Sequence, residues 1–115
     1  MKPTRFRFYD KDLKKMFYRK PLFNDFSHPN IIPMQYVGFE DKRSQRIYEG
    51  DILSDKTMTD EGIVKSRCQV FWNQPTGSWH LDLSHKQDMT CSTELWLELN
   101  DFDYEVVGNV YDITE

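Results

Sequence analysis

The chain has 115 residues, enough for one domain, and by size scaling a domain of this length hides roughly 65% of the surface its unfolded chain would expose. Seventeen aromatic residues supply bulky core material, whereas 30% charged residues and a mean hydropathy of -0.74 exclude a membrane-spanning chain, as does the lack of any apolar run near the roughly 20 residues that cross a bilayer. The net charge of -4 conceals an asymmetry: residues 1–20 carry +6, the remaining 95 carry -10, and residues 94–115 hold seven acids with no Lys or Arg, so the two ends attract each other or present opposite faces to a partner.

Arg5-Phe6-Arg7-Phe8-Tyr9 alternates cationic and aromatic side chains, which places Phe6 and Phe8 on one face of a strand and both arginines on the other. Asp10-Lys11-Asp12 is a charged turn, and Met16-Phe17-Tyr18 returns as the second arm of a hairpin. Between Pro21 and Pro33 three prolines mix with Asn24, Asp25, Ser27 and Asn30, a composition that predicts an irregular connection. Met34-Gln35-Tyr36-Val37 is strand-like, Gly38 permits a positive φ, and Glu40 to Gln45 is a polar loop. Ile47-Tyr48 then leads into Glu49-Gly50-Asp51, where Gly50 and Asp51 suit a tight turn before a strand starts at Ile52-Leu53.

Ser54 to Gly62 reads as a polar surface excursion. From Val64 to Trp72 the alternation predicts one long strand, with Val64, Ser66, Cys68, Val70 and Trp72 inward. Asn73-Gln74-Pro75-Thr76-Gly77 then turns the chain into Ser78 to Leu83, with Trp79, Leu81 and Leu83 inward and His80 toward solvent. Leu95, Leu97 and Leu99 alternate with Glu94, Trp96 and Glu98, a pattern that fits a strand or a short helix between 93 and 100. Tyr104 to Tyr111 is a closing strand with a bend at Gly108-Asn109. The predicted fold is mainly β, a small SH3-like barrel or curled antiparallel sheet with an N-terminal hairpin covering an edge or open end. One domain is expected over 1–115, with hairpin and connection in 1–33 and the β core in 34–112.

Three blocks resemble the YopX family: Phe6-Arg7-Phe8-Tyr9-Asp10 followed by Lys14-Lys15-Met16; the stretch from Met34 to Ile52; and Tyr104 to Tyr111. The middle block is the most specific, through Met34-Gln35-Tyr36, Gly38, Asp41-Lys42 and Ile47-Tyr48-Glu49-Gly50-Asp51-Ile52. The chain departs from the family pattern at Arg43-Ser44, where an Asn-Gly turn is frequent, and in ending at Asp112-Ile113-Thr114-Glu115 without the usual extension. The resemblance implies a phage or prophage origin, an SH3-like C-terminal part and no assigned catalytic residue.

For chemistry the residues offer little. Cys68 and Cys91 stand 23 apart with no CxxC, so both are expected reduced, Cys68 in the core. His28, His80 and His85 are the only imidazoles, and none is signposted for a triad. His80 and His85 beside Asp82 could hold a metal, but exposed histidines near an aspartate are more often merely solvated, and no metal or cofactor is expected. Asp51 beside Glu49 is explained as a turn aspartate better than as an acid or base. No apolar segment follows Lys2, Arg5 and Arg7, so a secretory signal is not expected and the bacterial cytoplasm is the default location.

Two binding readings follow. In the first, a non-catalytic module docks a phage or host protein through exposed aromatics, with Tyr36, Tyr48, Phe71 and Trp96 as candidates, and self-association through the same patch is equally compatible. In the second, Arg5, Arg7, Lys11, Lys14, Lys15, Arg19 and Lys20, interleaved with Phe8, Tyr9, Phe17 and Tyr18, contact nucleic acid. The sequence pI of 5.3 weighs against the second, since a dedicated nucleic-acid binder usually has a basic overall balance.

Overall fold

The computed structural model describes residues 5–22, 25–59, 61–83 and 92–111, with only the backbone at 56–59, 64 and 65. His85 and Cys91 lie outside the described residues. Among the described residues, eleven strands and one short helix make a mainly β fold of curled antiparallel sheets.

The N-terminal hairpin forms as expected from β1 (Phe6–Asp10) and β2 (Lys15–Tyr18). Asp10 shapes its turn, the carboxylate accepting from the backbone N–H of Asp12 and Leu13. β3 (Ile31–Glu40) pairs with β1, and β4 (Arg46–Tyr48) closes a four-stranded sheet in the order β2-β1-β3-β4. The irregular connection is therefore shorter than expected, because β3 starts at Ile31 and takes in Pro33. Proline is tolerated there because β1 pairs with residues 31–35 while β4 meets β3 only at Tyr36 and Glu40, leaving Pro33 an open side for its missing N–H. The connection itself folds back over the sheet: Phe26 packs edge-on against Phe6 and Phe8 at 5.1 and 6.0 Å between centroids.

The second sheet runs β10-β9-β8-β5-β11, built from β5 (Asp51–Ser54), β8 (Cys68–Asn73), β9 (Ser78–Asp82), β10 (Ser92–Glu94) and β11 (Glu105–Asn109). Its inner face holds the core of Leu53, Cys68, Val70, Leu81 and Leu95, all fully buried, with Val37, Ile47 and Tyr104. Each such large side chain stabilises the fold by about 1.5–3 kcal/mol relative to an exposed one. The predicted surface excursion is instead a separate ribbon of β6 (Lys56–Thr59) and β7 (Gly62–Lys65). The predicted long strand is correspondingly broken at Ser66-Arg67, where the Ser66 hydroxyl and backbone bond to Asp55.

Two further expectations are corrected. Trp72 is 42% exposed although Cys68 and Val70 on the same parity are fully buried, because the β8–β9 hairpin there has run past the core. His80 is buried, not solvent-facing: β9 is flanked by β8 and β10, and Asn73, Thr76 and Ser92 gather around the ring. The segment left open between strand and helix is both, β10 followed by α1 (Leu95–Asp101). Leu95 and Leu99 face the core at helical spacing, whereas Leu97 is 40% exposed. Gly108 marks a register shift in β11 against β5, which is the predicted bend.

Candidate functional site

The family-like middle block is used to join the two sheets. Gly50 adopts φ +85°, which a residue with a Cβ rarely adopts, and an added Cβ would lie 2.5 Å from the Met34 Cε. Its N–H donates to the Val70 carbonyl and its own carbonyl accepts from Val110 N–H, so one residue spans both sides of the sheet. Asp51 follows with its carboxylate accepting from Tyr48 N–H at 2.8 Å and ion-paired to Arg7 at 2.8 Å. Burial pushes the Asp51 carboxyl above the usual carboxylate range, with Arg7 pulling the other way. Asp41 plays a comparable part: one oxygen accepts from Arg43 and Gln45 N–H, the other from Val106 N–H on β11. Gly38, at φ +92° in open space, lies where the pairing of β3 with β4 shifts register.

These bonds decide which cations remain available. Arg7, a candidate nucleic-acid contact in the second reading, is 3% exposed, its guanidinium 5.0 Å from the Tyr48 ring centroid and donating to the Glu49 carbonyl. Arg19 holds Asp25 through two bonds of 2.6 and 2.9 Å and lies over Phe8; this pairing pulls the Asp25 carboxyl below its ordinary range. Lys11, Lys14 and Lys15 are exposed at the hairpin turn, roughly 15 Å along the strands from its open end.

The open end carries the groove. Tyr18 and Tyr48, edge-to-face at 5.7 Å, line two contiguous hollows of about 590 and 360 Å³. Arg5 and Lys20 line the larger hollow and Arg46 lines both, and none of the three makes an ion pair within the described residues. Glu40, Ser44 and Gln45 close the smaller hollow. Tyr18 is 63% exposed, whereas Tyr48, offered by the sequence as an exposed anchor, is 6% exposed and forms the floor. Tyr36, its cross-strand partner on β3, packs beside it at 5.7 Å between centroids.

The other two aromatic candidates lie elsewhere. Phe71 is half-buried against His80 in the second sheet, and Trp96 is exposed on α1 with its indole N–H donating to Glu94. Sequence reasoning missed Arg46, whose signal was that it shares a strand parity with Tyr48 and so reaches the same groove. It also missed the structural weight of Asp41. Among the described residues no three His, Cys, Asp or Glu side chains cluster as a metal site, and no helix is long and apolar enough to cross a membrane.

Comparison with known proteins agrees with this architecture. A family model described as YopX protein matches residues 19–115. A crystal structure of protein EF1440 from Enterococcus faecalis superposes with a TM-score of 0.67 at 20% identity, covering 95% of this chain and 94% of that one. The crystal structure of protein yopX from Bacillus subtilis superposes with a TM-score of 0.58 at 20% identity, covering 93% and 92%. At such identity the likeness is one of fold. No curated protein matches the chain.

Proposed function

The chain belongs to the YopX family, and we propose that it is a small non-catalytic protein-interaction module of phage or prophage origin, acting in the cytoplasm of the bacterial host. Its docking surface is the groove at the open end of the hairpin, and its ligand is an acidic, aromatic-bearing segment of a phage or host protein. The observation that carries this reading is the set of Arg5, Lys20 and Arg46, without ion pairs among the described residues, around the exposed Tyr18 and the Tyr48 floor. Cations round an aromatic floor favour carboxylates at the rim and a ring at the centre.

A non-catalytic role is supported by what happens to the reactive groups. Asp51 is 1% exposed and spent on Arg7 and Tyr48. His80 is enclosed by amide and hydroxyl partners. A second reading, single-stranded nucleic acid, draws on the same exposed Tyr18 among cations, since bases stack on such rings. The -10 carried by residues 21–115 opposes a polyanion at long range more than a short acidic segment.

A photo-crosslinking amino acid at Tyr18 in producing cells tests the choice. The expected product is a discrete nuclease-resistant protein adduct that disappears in Arg46→Glu. A nuclease-sensitive adduct would overturn the protein reading in favour of nucleic acid.

A further inference from the structure

A further hollow, separate from the cationic groove, lies beside Glu49. Consecutive residues Tyr48 and Glu49 line different hollows: Tyr48 the cationic groove, Glu49 a notch of about 360 Å³ shared with Gln35, Trp72 and Trp79. Trp72 and Trp79 are direct cross-strand partners on β8 and β9. Their indoles meet at 5.1 Å and 72°, two walls of a corner. The Trp72 ring is held by its N–H donating to the Gln74 side chain at 2.9 Å. Trp72 is 42% exposed, so this corner is open to solvent.

The charge in the notch is unbalanced. Glu49 is half-buried and makes no ion pair within the described residues. The nearby Arg7 contacts only the Glu49 backbone carbonyl and is paired with Asp51. We propose that the notch formed by Trp72, Trp79 and Glu49 is a cation-recognition site that takes a lysine or arginine side chain of a partner protein. Indole faces attract a cation through their quadrupole, and a carboxylate in the same hollow supplies the counter-charge. A neutral apolar side chain would satisfy the rings and leave the half-buried Glu49 carboxylate, which accepts from Gln35 N–H, without an ion-pair partner in the notch, so charge complementarity selects the occupant. The notch shares no lining residue with the cationic groove and its test is independent of that groove.

The test is a tryptophan-fluorescence titration with N-acetyl-lysine methylamide against N-acetyl-norleucine methylamide, which has a similar alkyl chain without the charge. A Trp96→Phe background removes the one remote indole. The expected result is a saturable change with the lysine derivative within roughly 100 mM and about tenfold weaker response to the norleucine derivative. Glu49→Gln should remove most of that preference, and Trp72→Ala should remove saturation while circular dichroism stays unchanged. Equal responses to both compounds, or none to either, overturn the proposal. So does a self-associating protein made monomeric by Trp72→Ala that ignores the lysine derivative, since the occupant is then an apolar surface of a second copy.

Discussion

Arg7 on the first strand and Asp51 on the fifth form a buried ion pair of 2.8 Å, 44 residues apart in sequence, that ties the N-terminal hairpin to the start of the second sheet. Removing one partner strands a charge out of water. Arg7→Leu or Asp51→Leu alone is expected to lower the unfolding free energy by about 3–5 kcal/mol. Asp51→Leu should cost more, because Tyr48 N–H also loses its acceptor. In urea denaturation the double variant should lose less than the sum of the two single variants; strict additivity would mean the residues do not act as a pair.

Gly50→Ala and Gly38→Ala separate backbone strain from crowding. Both glycines have φ near +90°, but only Gly50 has a neighbour where the Cβ would go. Gly38→Ala is expected to cost about 1–2 kcal/mol from the backbone alone. Gly50→Ala should cost somewhat more, because the Met34 Cε, the flexible end of a buried side chain, must swing aside. Equal midpoints for the two alanine variants would contradict the crowding seen at Met34.

Glu49 gives a pH signature. Burial raises its folded-state pKa above the ordinary 4.5, with Gln35 N–H bonding and Arg7 pulling it down less strongly. The folded chain therefore holds this proton to higher pH than the unfolded chain does, and the associated stability, present below 4.5, is lost as pH rises through the folded value. Relative to Glu49→Gln, the wild type should become less stable as pH increases across that interval and then level off. A difference that widens in the opposite direction would contradict the assignment.

Tyr104 is 1% exposed in the core and donates its hydroxyl to Glu98 at 2.8 Å. Burial and the Glu98 carboxylate both push the phenol well above its usual range. Tyr104→Phe keeps the ring and removes the donor, so it should cost about 1.5–3 kcal/mol by thermal or urea unfolding. Alkaline titration should show this tyrosine ionising only when the chain unfolds.

Legibility in the sequence followed which interactions are local. Alternation at Cys68 and Val70 and at Leu81 and Leu83 marked the inner face of the second sheet, since a strand's period of two depends on neighbours alone. It failed at Trp72 and His80, where exposure depends on how far the hairpin overruns the core and on what covers the other face. Pro33 misled because composition does not reveal that its side of the strand is unpaired. Arg7 and Arg19 looked like free cations for the same reason: their partners, Asp51 and Asp25, are known only once the chain is folded. Gly50 and Asp51 were legible as a turn, but the sheet junction they build was not.

The central claim is that Arg5, Lys20 and Arg46 around Tyr18 form a docking groove for an acidic protein segment. Fluorescence anisotropy with a labelled peptide of alternating glutamate and tyrosine, in parallel with a labelled single-stranded dT oligonucleotide, measures it directly. The expected result is peptide binding that weakens as salt rises and falls about tenfold in Arg46→Glu, with the oligonucleotide held less tightly. Tighter retention of the oligonucleotide, or peptide binding indifferent to Arg46→Glu, would contradict the account.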